Sequence, residues 1–181
     1  MTDVIILPGI NGSGEDHWQS HWERRNPAMR RFRPDDWDNP ELGSWVEALE
    51  RAVEEANEPP LIVAHSLACL VVAPWAVRSS RPVRGAFLVS VPDPEGERFP
   101  SEAVGFDEQP AGALRFPSLV VASSADPFGT LDYMEGRARQ WGSGFVNVGA
   151  LGHINAASGL GDWPQGVALF EAFAAGSRRQ W

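Results

Sequence analysis

Cysteine is almost missing from this chain: Cys69 is the single one in 181 residues. One thiol excludes an internal disulfide framework and any zinc site built on cysteines. Long apolar runs are missing too, since none approaches the roughly 18 residues of a membrane span. Basic charge is scarce: 15 Lys and Arg stand against 24 Asp and Glu, a formal net charge of −9. That balance argues against nucleic acid or an anionic membrane as a main partner. There is no basic n-region of a secretory signal, because Thr2-Asp3 lead straight into a strand-like run. Repeats, linkers and low-complexity tracts are absent. The expectation is a cytoplasmic protein forming a single domain over residues 1–181, with 43% hydrophobic and 22% charged residues as in ordinary globular chains.

What is present is organised around residues 61–72, Leu-Ile-Val-Ala-His-Ser-Leu-Ala-Cys-Leu-Val-Val. The first four residues read as a buried parallel strand. From Leu67 onward the run reads as a helix that is apolar on nearly every side. Ser66 therefore falls on a sharp strand-to-helix turn. The sequence Ala64-His65-Ser66-Leu67-Ala68 has the spacing of the G-x-S-x-G nucleophile elbow, with alanine in both glycine places. Each alanine adds one methyl at a crowded point.

Strands and helices alternate around this centre. Strands are expected at Val4 to Leu7, Met29 to Phe32, Leu61 to Ala64, Val83 to Val91, Leu119 to Ser123 and Phe145 to Val148. Between them, Asp16 is placed to cap a helix to about Arg25, and Pro40-Glu41 opens one carrying Trp45, Leu49, Val53 and Ala56. The elbow helix runs toward Arg78, with Pro74 expected to bend or end it early. Leu131 to Trp141 forms a further helix, and Asp162 to Gln165 has capping-box spacing before the last. Residues 92–115 are polar and rich in Pro and Gly, a loop or a partial cover. Trp18, Trp22 and Trp37 suggest one aromatic cluster near the N-terminal half. The alternation predicts an α/β fold with a mostly parallel sheet of about six strands between helical layers. Sites in such sheets lie at the carboxyl ends of strands, near the point where strand order reverses.

A serine becomes a nucleophile only with a base and an orienting acid. Asp126 and His153 both fall just past an expected strand end, in the chain order Ser, Asp, His of α/β-hydrolases. Taken alone, Ser66 reads equally as a helix N-cap, Asp126 as a turn former before Pro127, and His153 as a polar loop residue. Together and in order they point to a triad. Asp93 is a rival acid after the fourth strand. The loop Gly9 to Gly14 lacks the Lys of a phosphate-binding loop, and Glu15 and Asp16 would repel phosphate. It suits an oxyanion loop, with the backbone N–H groups of Leu67 and Ile10 as donors and Asn11 as a substitute. His17 and His21 have metal-ligand spacing, yet no Glu follows His17 and no third ligand is evident, so they read as packing or surface histidines. No metal and no cofactor is expected. His65 is expected to pack beside the elbow, Cys69 to be a buried small hydrophobe, and Trp18, Trp22 and Trp45 to be core.

These stretches also carry a resemblance. Residues 7–14, Asp16-His17-Trp18, Asp36-Trp37, Ala64 to Leu67, Ser123 to Pro127 and the long run Gly152 to Pro164 resemble the small serine-hydrolase family of retinoblastoma-binding protein 9 and its bacterial relatives. The resemblance implies a compact α/β-hydrolase fold without a large lid, and a triad of Ser66, Asp126 and His153, favouring Asp126 over Asp93. Ala68 departs from a common glycine. Retinoblastoma-protein binding does not transfer: L-x-C-x-E is needed, and Leu67-Ala68-Cys69-Leu70-Val71 lacks the Glu. The expected function is a carboxylesterase-like serine hydrolase of small acyl compounds, in class EC 3.1.1, with thioester and amide cleavage open to the same machinery. The alternative is a non-catalytic protein-interaction module on a hydrolase scaffold.

Overall fold

Short, apolar, β-branched runs make the sheet. In the computed structural model, which describes residues 3–177, they are β1 (Val4–Leu7), β2 (Met29–Arg31), β3 (Leu61–His65), β4 (Gly85–Val89), β5 (Ser118–Ala122) and β6 (Gly144–Asn147). Thr2 and the last tryptophan, Trp181, lie outside the described residues. All neighbours pair in parallel, in the order β2-β1-β3-β4-β5-β6. The helices are α1 (Trp18–Arg25), α2 (Leu42–Glu54), α3 (Cys69–Arg78), α4 (Leu131–Trp141) and α5 (Pro164–Ser177).

The order reverses at β1. The chain steps from β1 to β2 one way, then crosses back over β1 to β3 and continues outward. Right-handed crossovers in opposite directions put their helices on opposite faces. The alternation of side chains along the strands agrees. Ile5, Leu7, Ile62, Ala64, Ala86, Leu88, Val120 and Ala122 join the core under α2, α3 and α4. Val4, Ile6, Leu61, Val63, Phe87, Val89 and Val121 join the core with Trp18, Trp22, Trp163 and Phe170. This divides the aromatic residues expected as one cluster. Trp18 and Trp22 pack with Trp163 on one face, while Trp37 and Trp45 pack with Phe32 on the other.

Several local expectations need correction. β4 is shorter than Val83 to Val91, because Ser90 takes φ +56° and leaves the strand conformation. Pro74 does not end α3: the helix continues to Arg78, and every residue from Cys69 to Trp75 is buried. Packing on all sides holds it through the missing hydrogen bond. Asp162 does not cap α5, which starts at Pro164; its carboxylate instead meets His21 Nδ1 at 2.9 Å and Arg25 at 2.6 Å. Residues 92–115 fold back on α2, where Val104 exchanges backbone hydrogen bonds with Leu42 and Pro40 and Phe106 is buried against Trp45.

The cap of α1 is His17, not the exposed Asp16: its Nδ1 accepts from the Gln19 N–H at 3.2 Å. Its ring is buried and meets that of His65 edge-on, centroids 4.7 Å apart. Burial, with the Arg31 guanidinium adding to it, lowers the His17 pKa to about 3. Burial likewise holds His65 well below the ordinary imidazole value. Both rings are therefore neutral in the folded state, whereas an unfolded histidine takes up a proton below about pH 6.5. Between those limits the unfolded chain binds more protons, so stability falls as pH drops. We expect the unfolding free energy to be flat near neutral pH and to decline below about pH 6.5, each ring adding on the order of 1 kcal/mol per pH unit. Urea titrations of wild type and His17→Gln between pH 7 and 4 check this: the variant's decline should be shallower, and equal slopes would contradict it.

Candidate active site

Three loops leave the carboxyl ends of β3, β5 and β6 and meet. After β3 the chain turns at Ser66, which has a φ of +56°. That value lies in the left-handed region that non-glycine residues rarely enter. A 3-10 turn, Ser66–Ala68, then opens into α3. Ala68 sits at φ −66°, ordinary right-handed backbone, so alanine costs no strain in that glycine place. Leu67 and Cys69 are buried there, which also hides the residues that a retinoblastoma-type contact would need.

Ser66 Oγ lies 2.7 Å from His153 Nε2. His153 Nδ1 lies 2.9 Å from both carboxylate oxygens of Asp126. With the proton on Nδ1 donated to Asp126, Nε2 is left to accept from the serine hydroxyl. The Asp126 side chain is fully buried and that of His153 nearly so, 0% and 8% exposed. Asp126 also accepts from the Phe128 N–H, and the Phe128 ring lies 4.5 Å from the His153 ring, centroid to centroid. The β5 and β6 loops are tied directly: Ser124 N–H donates to the Gly149 carbonyl and Leu151 N–H to Ser123 Oγ. Asp93, the rival acid, is not brought to His153. Its carboxylate accepts from the N–H of Glu95 within its own turn.

The glycine loop faces the elbow. A Cβ on Gly9 would lie 3.0 Å from Ser66 Cβ and 3.2 Å from the His65 carbonyl oxygen. Any larger residue would have to push these atoms back, so glycine suits this close approach. Ile10 and Leu67 both line the cleft. The first N–H groups of a helical turn have no partner within the turn, and Leu67 follows Ser66 at the start of such a turn. Asn11 is withdrawn as an oxyanion donor, because its N–H already donates to the Trp37 carbonyl at 2.8 Å. The loop's position is set by Gln19, which is completely buried. Its amide donates to the carbonyls of Leu7 and Val63 and accepts from Ser13 Oγ, joining the end of β1, the elbow strand and the loop. Sequence reasoning missed Gln19. The signal available was its place in the first turn of the helix that follows the glycine loop.

The cleft above Ser66 has a volume of about 300 Å³. Pro92, Pro100, Phe128 and Ala156 line it too, so residues 92–115 supply part of its lining. His17 and His65 form its floor, and His17 Nε2 is buried without a hydrogen-bond partner. His21 turns away to Asp162, so the two histidines do not converge on a common ion. Among the described residues no cluster of His, Cys, Asp and Glu could hold a metal, and no helix is long and apolar enough to cross a membrane.

Known proteins share this architecture. A YdeN-like hydrolase from Pectobacterium atrosepticum superposes with a TM-score of 0.88 at 31% identity, over 98% of this chain and 92% of its own. The YdeN product of Bacillus subtilis gives 0.79 at 18% identity, over 97% of this chain and 100% of its own. A thermophilic esterase from Thermogutta terrifontis gives 0.70 at 16% identity, over 97% and 90%. The last two likenesses speak for the fold, an α/β-hydrolase. No curated protein matches the chain in sequence. The family model described as serine hydrolase matches residues 4–172, nearly the whole length, and the chain belongs to that serine hydrolase family.

Proposed function

We propose that this protein hydrolyses small esters through an acyl-enzyme on Ser66. His153 Nε2 takes the proton from Ser66 Oγ as that oxygen attacks the acyl carbon. The carbonyl π electrons move onto oxygen, where the N–H groups of Leu67 and Ile10 hold the negative charge. The imidazolium then gives its proton to the departing alcohol. Asp126 keeps the ring oriented and stabilises its positive form. Water, deprotonated by the same nitrogen, attacks the acyl carbon; the bond to Ser66 Oγ breaks, the acid leaves, and the imidazolium returns its proton to Ser66 Oγ. No step asks for a metal or a cofactor. Thioesters and amides can follow the same course, and carboxylester cleavage (EC 3.1.1) is the reading we favour. What carries it is the unbroken line of hydrogen bonds from Asp126 through His153 to Ser66, ending beside a glycine loop. That line is also what weighs against a non-catalytic interaction module.

A fluorophosphonate probe should label wild type at one residue. Ser66→Ala should lose the label, keep its fold, and lose on the order of 10⁴-fold or more in kcat on p-nitrophenyl esters. Label that persists, or moves to another serine, refutes the assignment.

Asp126→Asn should cost at least about 10²-fold more activity than Asp93→Asn, since only the first disturbs the histidine. Equal losses in steady-state kinetics would place the acid elsewhere.

No Asp, Glu, Lys or Arg side chain lines the cleft among the described residues, and its volume is about 300 Å³. Uncharged acyl groups of about two to six carbons should suit it, because a longer chain gains no further burial. A higher kcat/KM on a twelve-carbon than on a four-carbon p-nitrophenyl ester would count against this.

A further inference from the structure

The His153 backbone follows an unusual path. The residue after it, Ile154, has φ +48°. That conformation is costly for a β-branched residue and persists only where its surroundings enforce it. Two side chains from elsewhere in the sequence act at this point. His65 Nε2 lies 2.9 Å from the His153 carbonyl oxygen. A carbonyl can only accept, so this nitrogen carries the hydrogen and donates. Trp18 Nε1 donates to the next carbonyl, that of Ile154, at 2.8 Å. Both donors are buried, 4% and 1% exposed. They come from separate elements, the last residue of β3 and the first of α1.

We propose that His65 and Trp18 are positioning residues for the general base, holding the peptide units on either side of the Ile154 α-carbon so that the His153 ring stays in line with Ser66. This rests on the acyl-enzyme reading above. Asp126 fixes the ring through Nδ1, but a ring anchored only there can still swing with its own backbone. The two donors remove that freedom. Because His65 immediately precedes Ser66, its side chain references the base to the nucleophile's own strand end. Trp18 references it to α1, whose next residue, Gln19, holds the glycine loop. His65 suits the task in a second way. It is uncharged, and its ring lies 5.0 Å from the ring of His153, which becomes positive during each turnover. A cationic donor in that place would oppose proton transfer from Ser66.

His65→Leu removes one donor, and Trp18→Phe removes the other while keeping an aromatic ring against Trp22 and Trp163. His65→Gln restores an N–H of similar reach. Steady-state kinetics on p-nitrophenyl butyrate are normalised to the fraction of protein that takes fluorophosphonate label, so unfolded molecules do not count. We expect kcat per labelled site to fall on the order of 10- to 100-fold in His65→Leu and Trp18→Phe, with KM within about threefold of wild type. His65→Gln should recover most of the loss. If His65→Leu fails to fold, Trp18→Phe carries the test. The proposal is overturned if kcat per labelled site stays within twofold of wild type in Trp18→Phe and, where it folds, in His65→Leu, or if the losses appear only in the labelled fraction. A wild type that neither turns over ester nor takes label overturns the Ser66 reading itself, and is thereby told apart from a failure of positioning alone.

Discussion

Ser66 stands in a backbone conformation that it would not choose, with φ at +56°. Such a conformation costs a non-glycine residue about 1 to 3 kcal/mol, and the surrounding packing must supply it. The supply is visible on both sides. Before the serine, Leu61 to His65 lie at the centre of the sheet, paired in parallel with β1 and β4. After it, seven consecutive residues of α3 are buried. Neither element can shift without opening a core, so the turn between them is forced and the hydroxyl is driven into the cleft. The reversal of strand order beside β3 does the rest, because it leaves the space in which the glycine loop approaches that hydroxyl.

The first turn of α1 is the second centre. His17, Trp18 and Gln19 are consecutive, and each reaches a different part of the site. His17 forms part of the floor, Trp18 binds the carbonyl of Ile154, and Gln19 ties the glycine loop to β3. A buried amide whose donor and acceptor groups are in use is stiff, since any movement leaves an unpaired polar group away from water. An eight-residue helix thus couples the glycine loop to the segment that carries His153.

Much of this is legible in the sequence, for identifiable reasons. The strands β1, β3 and β5 are buried on both faces, so they read as unbroken apolar runs, and the elbow stands out because a serine interrupts two such runs. Asp126 and His153 can be placed because each follows one of the expected strands. Position along the chain does not decide between Asp126 and Asp93. Both follow a strand, and only the cross-ties of Ser123 and Ser124 to the β6 loop bring one of them to the histidine. The roles of Trp18 and Gln19 are hidden for a related reason. A tryptophan at a core-like helical position reads as packing, and its indole N–H becomes informative only once its partner, 136 residues away, is known. Local rules misplace helix starts at Asp16 and Asp162, because an aspartate before a helix is a good cap, while here Asp162 is recruited by His21 and Arg25.

The site is wired from below and left open at one side. Residues 92–115 contribute Pro92 and Pro100 to the cleft lining, and they are tied to α2 through Val104, to the end of α4 through Leu114, and to the Phe128 carbonyl through the Asp93 N–H. Lengthening that segment beyond the Asp93 tie would leave the hydrogen bonds of Gln19, Trp18 and His65 in place. The fold therefore separates two parts that can change independently: the support of Ser66 and His153, which comes from α1 and the inner strands, and a stretch of the cleft lining, which comes from a single crossover between β4 and β5. An insertion in that crossover can build a larger cover over the cleft while leaving the supports of Ser66 and His153 as they are.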